Sequence, residues 1–290
     1  MWRDTLKKLA VAFGLPVPEG RHKTGPKKYS LESLAKTILF RHIFGMKSDR
    51  EMARKLRIWK ELRQACGLKD APSYSTISRA RDRIDLSEIF NSLVRKAKEI
   101  GLVKGFIISV DSTQFEAYLK GDREAKLGYC AAKDEFIFGY KAYIITDADS
   151  ELPIAVVVSP ANEHDSKHLK SLLKRVFKNF ICEVKKLLGD SAYDSSAIRK
   201  FLRKIGIEDV IDRNKRRGRE FPKIKDKDYR KRSASERVNS HAKGSFGLEN
   251  FTFAGIRRAL QHTYACLAAM LYSAIASFEM KNGNWRRVLV

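Results

Sequence analysis

The sequence predicts an α/β protein, a mixed β-sheet flanked by helices and preceded by a small all-helical region. Three observations predict it. Apolar residues recur at helical spacing before residue 100. From Phe106 the rhythm changes to three successive strand-like runs. Helix and strand segments then alternate to the last long helix.

A basic arm with Gly and Pro, residues 21–28, follows a short first helix. Helical patterns run from Leu31 to Phe44 and from Asp49 to Leu56, the second with Ser48 as cap and Glu51 at the capping-box position. Ser73 to Arg81 reads as a capped helix with cations on its exposed side. Short helices ending in a basic one fit a helix-turn-helix-like DNA-binding module, and a longer helix, Leu86 to Ile100, leads out of it. Strands are expected at Phe106 to Val110, Phe136 to Thr146 and Leu152 to Val158. A helix near Asp165 to Phe177, a strand ending near Asp190, a helix from Ser195 to Ile205, a strand at Asp209 to Ile211 and a helix carrying Glu236 complete the pattern. That order is the order of the RNase H-like fold. The expected organisation is 1–28 as helix and arm, 29–100 as the helical domain, and 101–290 as the catalytic domain with a basic loop at 213–232 and a C-terminal packing helix. No internal repeat is present.

Lys and Arg number 58 against 34 Asp and Glu, a formal charge of +24 over 290 residues. Such an excess points to a polyanionic partner, bound through phosphate contacts that salt weakens. Hydrophobic residues make up 43%, enough for a real core. Cys66, Cys130, Cys182 and Cys266 show no C-x-x-C and no ligand spacing, which argues for thiols in a reducing compartment and against zinc. The N-terminal residues lack the apolar core of a signal peptide. The stretch from Ala259 to Phe278 is long enough to span a bilayer, but its Gln261, His262, Thr263 and Ser273 favour a buried helix. The expectation is a cytoplasmic, nucleoid-associated protein with no membrane partner.

Two aspartates each follow an apolar run, Asp111 after Phe106 to Val110 and Asp190 after Val184 to Gly189. Tyr229, Arg232, Glu236 and Lys243 then sit at steps of three, four and seven. On an α-helix this spacing gathers all four within an arc of roughly 60°. Ala234, Ser235, Val238 and Ala242 form the opposite, small-residue face. Three carboxylates converging from two strands and a helix make an oxygen-rich site suited to Mg²⁺ or Mn²⁺, and two such ions would serve in-line phosphoryl transfer. His164 and His168, four apart, fit a capping or solvent-facing pair better than a metal site.

These residues resemble DDE transposases of insertion sequences, in the branch with the motif Y-x2-R-x3-E-x6-K (the IS-four/IS-five-like group). Tyr229, Arg232, Glu236 and Lys243 keep every spacing of that motif. Asp111-Ser112-Thr113 is similar to the first-acid block and Gly189 to Asp194 to the second. Gly139 to Asp147 and Ala161 to Ser166 are similar to the strands and turn between them. The resemblance implies catalytic and metal-binding roles for Asp111, Asp190 and Glu236, and two Mg²⁺ or Mn²⁺ ions as cofactors. It also implies double-stranded DNA (terminal inverted repeats and target) as partner and a homodimer on that DNA. Members that make DNA hairpins often carry a large insertion before the Glu. Only 45 residues separate Asp190 from Glu236 here, too few for it.

Between Arg213 and Arg232, 11 of 20 residues are Lys or Arg, against three acids. A like-charged run is a solvated face or a tracking surface for DNA. Its place just before the Glu236 helix favours the second, with Arg213, Lys215, Arg216, Arg217 and Arg219 on the DNA backbone. Arg232 and Lys243 would clamp the phosphate beside the scissile bond, and Tyr229 would bond a phosphate oxygen. The function read from all this is DNA cleavage at element ends, followed by joining of the 3′-hydroxyl to target DNA. The rival readings are a stand-alone RNase H-like nuclease and a non-catalytic DNA-binding protein derived from a transposase.

Overall fold

A computed structural model describes residues 15, 28–131, 133–179, 184–214, 221 and 224–279. The chain divides into two compact units. One combines the residues up to Leu93 with Ala242–Thr252 and the chain from Gln261 onward. The other is Val94–His241 with Phe253–Leu260. The sequence pattern groups 242–252 and 261–279 with the catalytic sheet; the compact units join them to the N-terminal helices.

The sheet unit is built on β1 (Ile107–Glu116), β2 (Lys126–Cys130), β3 (Glu135–Asp147), β4 (Leu152–Pro160), β5 (Lys186–Gly189) and β6 (Glu208–Ile211). β3 runs antiparallel to β1 and β4, while β5 and β6 run parallel to β1 in the order β3-β1-β5-β6. With α6 (Leu169–Asn179) and α7 (Ser196–Lys204) as crossovers, this is the RNase H-like arrangement. The first strand is longer than expected. Its pairing with β5 stops at Val110↔Gly189, but its pairing with β3 continues to Glu116↔Gly139. Asp111 therefore lies inside a strand, at the point where that strand loses its parallel neighbour. The short β2 was not expected, and it pairs with residues 135–139 of β3. Its Gly128 lies against a backbone carbonyl, since a Cβ there would fall 2.2 Å from Ala161 O.

The helical unit contains α1 (Leu31–Ile43), α2 (Asp49–Ile58), α3 (Lys60–Ala65), α4 (Tyr74–Arg83) and the start of α5 (Leu86–Glu99). Ser48 caps α2 by accepting from Glu51 N, and Ser73 caps α4 by accepting from Thr76 N. The short α3 was not expected. In α4 the cation at Arg81 does not face solvent: it is buried and makes two bonds to Asp49, at 2.9 and 3.3 Å. Arg79 is exposed, as expected, and so is Arg83 beyond the expected helix end. A charge this deep is tolerated because its carboxylate partner is bidentate.

Residues 262–277, within α9 (Ile256–Glu279), are buried on every side. Such a helix belongs in a core. Among the described residues no helix is long and apolar enough to cross a membrane.

In this unit three buried side chains hold alternate carbonyls of one loop. His42 donates through Nδ1 to Phe246 O at 2.8 Å, and His262 through Nε2 to Leu248 O at 3.0 Å. Arg41 donates to Asn250 O at 2.9 Å. Burial keeps both imidazoles neutral, that of His262 down to about 3, helped by Arg41 and Arg81. Unfolded histidine takes its proton near pH 6.5, so below that pH the unfolded chain binds more protons and stability falls toward pH 3. The buried Asp111 has the opposite sign, its pKa being raised, but it cancels in a difference between variants. Urea melts across pH should show His262→Gln less stable than wild type at neutral pH. The gap should then close by ~1.4 kcal/mol per unit as pH drops below 6.5. A constant gap would mean that His262 titrates normally in the fold.

Candidate active site

Val110 and Gly189 are paired neighbours on parallel strands, so Asp111 and Asp190 follow at the same level on adjacent strands, with strand spacing of about 4.8 Å. Asp190 turns off the sheet into a 3₁₀ turn, Ser191–Tyr193, which it caps by accepting from Ala192 N at 3.0 Å. Asp111 is held from two sides: Ser112 N donates to Oδ1 at 2.8 Å and Asn239 Nδ2 to Oδ2 at 2.9 Å.

Glu236 comes from α8 (Ser233–Gly244), and a hydrogen-bonded clip seats this helix on β1. Ser109, two residues before Asp111 and so on the same face of the strand, donates to Arg232 O at 3.0 Å and meets Ser235 Oγ at 2.8 Å. One turn later Asn239 reaches Asp111. Ala234, Ser235, Val238 and Ala242 are buried, as their small-residue face required.

The four-residue stripe does not lie on one α-helix. Tyr229–Arg232 is a 3₁₀ turn, and α8 begins at Ser233. Hydroxyl groups crowd the junction: Ser109 and Ser235 donate to Arg232 O, and Ser233 donates to Arg230 O. Arg232 pairs with Glu236 at 2.8 Å. Burial opposes the Arg232 charge, but Glu236, then Tyr229, Asp190 and Asp111, hold its pKa above the ordinary value. Arg232 thus lies in the field of all three acids. Lys243, in the last turn of α8, belongs to the helical unit, where it pairs with Glu249 at 3.3 Å.

Tyr229 donates its hydroxyl to Asp212, and Lys186 bonds Asp226 at 2.7 Å and Asp228 at 3.0 Å. The acids of the basic run therefore tie its end to the sheet, and Tyr229 is clasped to Asp212 at the end of β6. Arg213 is exposed, its guanidinium 5.5 Å from the Phe221 ring centre. Lys215, Arg216, Arg217 and Arg219 lie outside the described residues.

Burial raises the Asp111 carboxyl to about 6, with Asp190 and Glu236 pushing the same way. Burial likewise raises Asp190, with Asp165 and Asp212 adding to it. Like charges crowded in a partly desolvated site behave so, and a cation would relieve them. The donor set is all carboxylate oxygen, which suits a hard divalent ion. Among the described residues no three Asp, Glu, His or Cys side chains are already gathered as a metal-binding set. Each acid is instead engaged locally, Glu236 by Arg232 and the aspartates by backbone N–H and Asn239. The residues fit a divalent cation if Glu236 exchanges Arg232 for it.

Sequence reasoning missed Asn239 and gave Asp165 no role. Asp165 accepts from Ser112 Oγ at 2.7 Å and from Lys141 at 2.9 Å, directly beside Asp111. Asn239 was legible in principle, four residues from Ser235 on the helix face turned to the sheet. His164 caps its own turn, as expected, whereas His168 is half-buried and stacked on Tyr143, with Nε2 3.4 Å from a Glu163 oxygen. Cys66, Cys130 and Cys266 are free thiols; Cys182 lies outside the described residues.

Residues 105–272 match the family model described as transposase DDE domain, and residues 5–83 match the one described as transposase domain (DUF772). No curated protein matches the chain. Among solved structures, the chain is similar to piggyBac transposase in a synaptic complex with hairpin DNA. That likeness has 12% identity, covers 98% of this chain and 75% of that one, and has a TM-score of 0.48. It is also similar to Mos1 mariner in a paired-end complex with Mn, at 15% identity over 66% of this chain and 61% of that one, with a TM-score of 0.25.

Proposed function

The chain belongs to the transposases with a DDE domain, whose family model covers more than half of it, and on that premise we propose that Asp111, Asp190 and Glu236 are its catalytic acids. The protein is a DNA transposase, a metal-dependent polynucleotidyl transferase. The observation that carries the assignment is the Arg232 side chain, paired with Glu236 and in the field of both aspartates.

In this reading the three acids hold two Mg²⁺ or Mn²⁺ ions. When bound, these activate the attacking oxygen and stabilise the leaving one in an in-line displacement. Ser112 N and Asn239 keep the Asp111 carboxylate oriented, and the Ser109–Ser235 clip keeps α8 at a fixed height over it. Arg232, released from Glu236, turns to a non-bridging oxygen of the scissile phosphate. Tyr229 acts mainly through its clasp on Asp212, presenting the basic run, from Arg213 through Lys215, Arg216, Arg217 and Arg219, to the DNA backbone. Lys243 is a further phosphate contact on the spacing of the Y-R-E-K motif, which also supports the IS-four/IS-five-like group. The substrates are terminal inverted repeats and target DNA, engaged by a homodimer in the nucleoid. The helices at 29–100 act as a helix-turn-helix-like DNA-binding domain, with the exposed Arg79 and Arg83 toward the duplex.

The test is a reaction of the protein with Mg²⁺, labelled DNA carrying the inverted repeats that flank its gene, and a supercoiled target plasmid. The expected products are cleaved ends and a labelled, joined plasmid. Cleaved ends without joining would point to a nuclease, and binding with neither product to a DNA-binding protein.

A further inference from the structure

Tyr193 is fully buried, yet its hydroxyl has no hydrogen-bond partner. The neighbouring buried phenols behave differently: Tyr140 donates to Asp122 at 2.7 Å, and Tyr143 bonds Ser159 Oγ and Glu163 O, each at 3.1 Å. An unpaired buried donor is costly and calls for an explanation in an acceptor that arrives later, a water or a functional role. Its surroundings favour the last. The ring packs beside the strand pair that carries both catalytic aspartates, since a methyl on Gly189 would lie 3.6 Å from it and 3.3 Å from Val110. The turn Asp165–Lys167 packs against the Ser191–Tyr193 turn. Burial, then Asp165, Asp111 and Asp190 in that order, push the phenol well above its ordinary pKa, so it remains a neutral donor.

Each of those carboxylates is already engaged. Asp165 is taken by Ser112 Oγ and Lys141, Asp111 by Ser112 N and Asn239, and Asp190 by Ala192 N. We propose that Tyr193 is a positioning residue of this site, a buried hydroxyl that bonds and orients a catalytic aspartate when the acids turn to a bound cation. The Lys141–Asp165–Ser112 line is a further brace beside Asp111. The inference rests on the assignment of Asp111 and Asp190 as catalytic acids.

Tyr193→Phe removes only the oxygen. It should slow single-turnover cleavage of saturated end DNA about 10–100-fold, the usual effect of losing a partner of a metal ligand, with DNA affinity unchanged. Mn²⁺ binding to the DNA-free protein, followed by the electron paramagnetic resonance signal of free Mn²⁺, should weaken about 10-fold. The melting temperature without metal should stay or rise, because an unpaired buried hydroxyl is lost. Wild-type cleavage and Mn²⁺ affinity in Tyr193→Phe would overturn the proposal. So would a lower melting temperature with normal cleavage, which would make the hydroxyl a structural group bonded to water. Asp190→Asn, run beside it, separates the two levels. If that variant is inactive and Tyr193→Phe normal, only the positioning role fails. If Asp190→Asn cleaves normally, the site assignment fails and the proposal with it.

Discussion

Asp111→Ala, Asp190→Ala and Glu236→Ala should each abolish Mg²⁺-dependent cleavage of element-end DNA, by about 10³-fold or more, while low-salt binding to the same DNA survives. The loss is large because each acid contributes to charge stabilisation that is worth most in the transition state, where one missing group costs about 10²–10³ or more. Binding survives because phosphate contacts come from cations. The raised carboxyl of Asp111 sharpens the expectation. Removing one member of a crowded set of negative charges should leave binding equal to wild type or slightly tighter. Single-turnover cleavage and a mobility-shift titration measure the two effects separately. Undiminished cleavage by any one variant removes that residue from the active site.

Arg232→Ala should also slow cleavage severely, on the order of 10²-fold, with a modest loss of affinity. Arg232 sits among the three acids and holds Glu236, so its removal takes a cation from the scissile phosphate and loosens the acid at once. Neutralising Arg213, Lys215, Arg216, Arg217 and Arg219 together should do the reverse. Binding should weaken and its log–log dependence on salt should flatten by about 0.9 for each phosphate no longer neutralised. Cleavage at saturating protein should remain near wild type. A loop variant with the full salt slope would make the basic run a solvated face. Normal saturated cleavage by Arg232→Ala would exclude the clamp at the scissile phosphate.

The placement of the three candidate acids was legible because sequence pattern and strand register agree. Asp111 and Asp190 follow apolar runs that pair as parallel neighbours, and Glu236 sits on a helix whose small residues must face inward. β2 was not legible because its burial is inverted. Leu127 and Tyr129 face outward while the inward position is Gly128, chosen for its lack of a side chain. The 3₁₀ turn at Tyr229–Arg232 was hidden because the residue spacing fits a continuous helix equally well, and the contact at its last carbonyl comes from Ser109, more than 120 residues away in sequence. Asn239 and Asp165 look like ordinary polar residues until the strand and turn they touch are placed. The same holds for the grouping of 242–252 with the N-terminal helices, where local periodicity carries no information.

The three carbonyls held by His42, His262 and Arg41 have a consequence for synthesis of the chain. His42 and its acceptor Phe246 are 204 residues apart, and Arg41 and Asn250 are 209 apart. At about 5–20 residues per second, a ribosome needs roughly 10–40 s to make that interval. Throughout it the first helices exist without the groups that satisfy their buried polar side chains. The sheet unit, contiguous from Val94 to His241, has almost all of its own chain by then. Residues 242–252 therefore complete a unit whose first helices were made long before them. A nascent chain stalled before residue 246 should present the N-terminal helices to chaperones and proteases as an unfinished core, however complete its catalytic sheet.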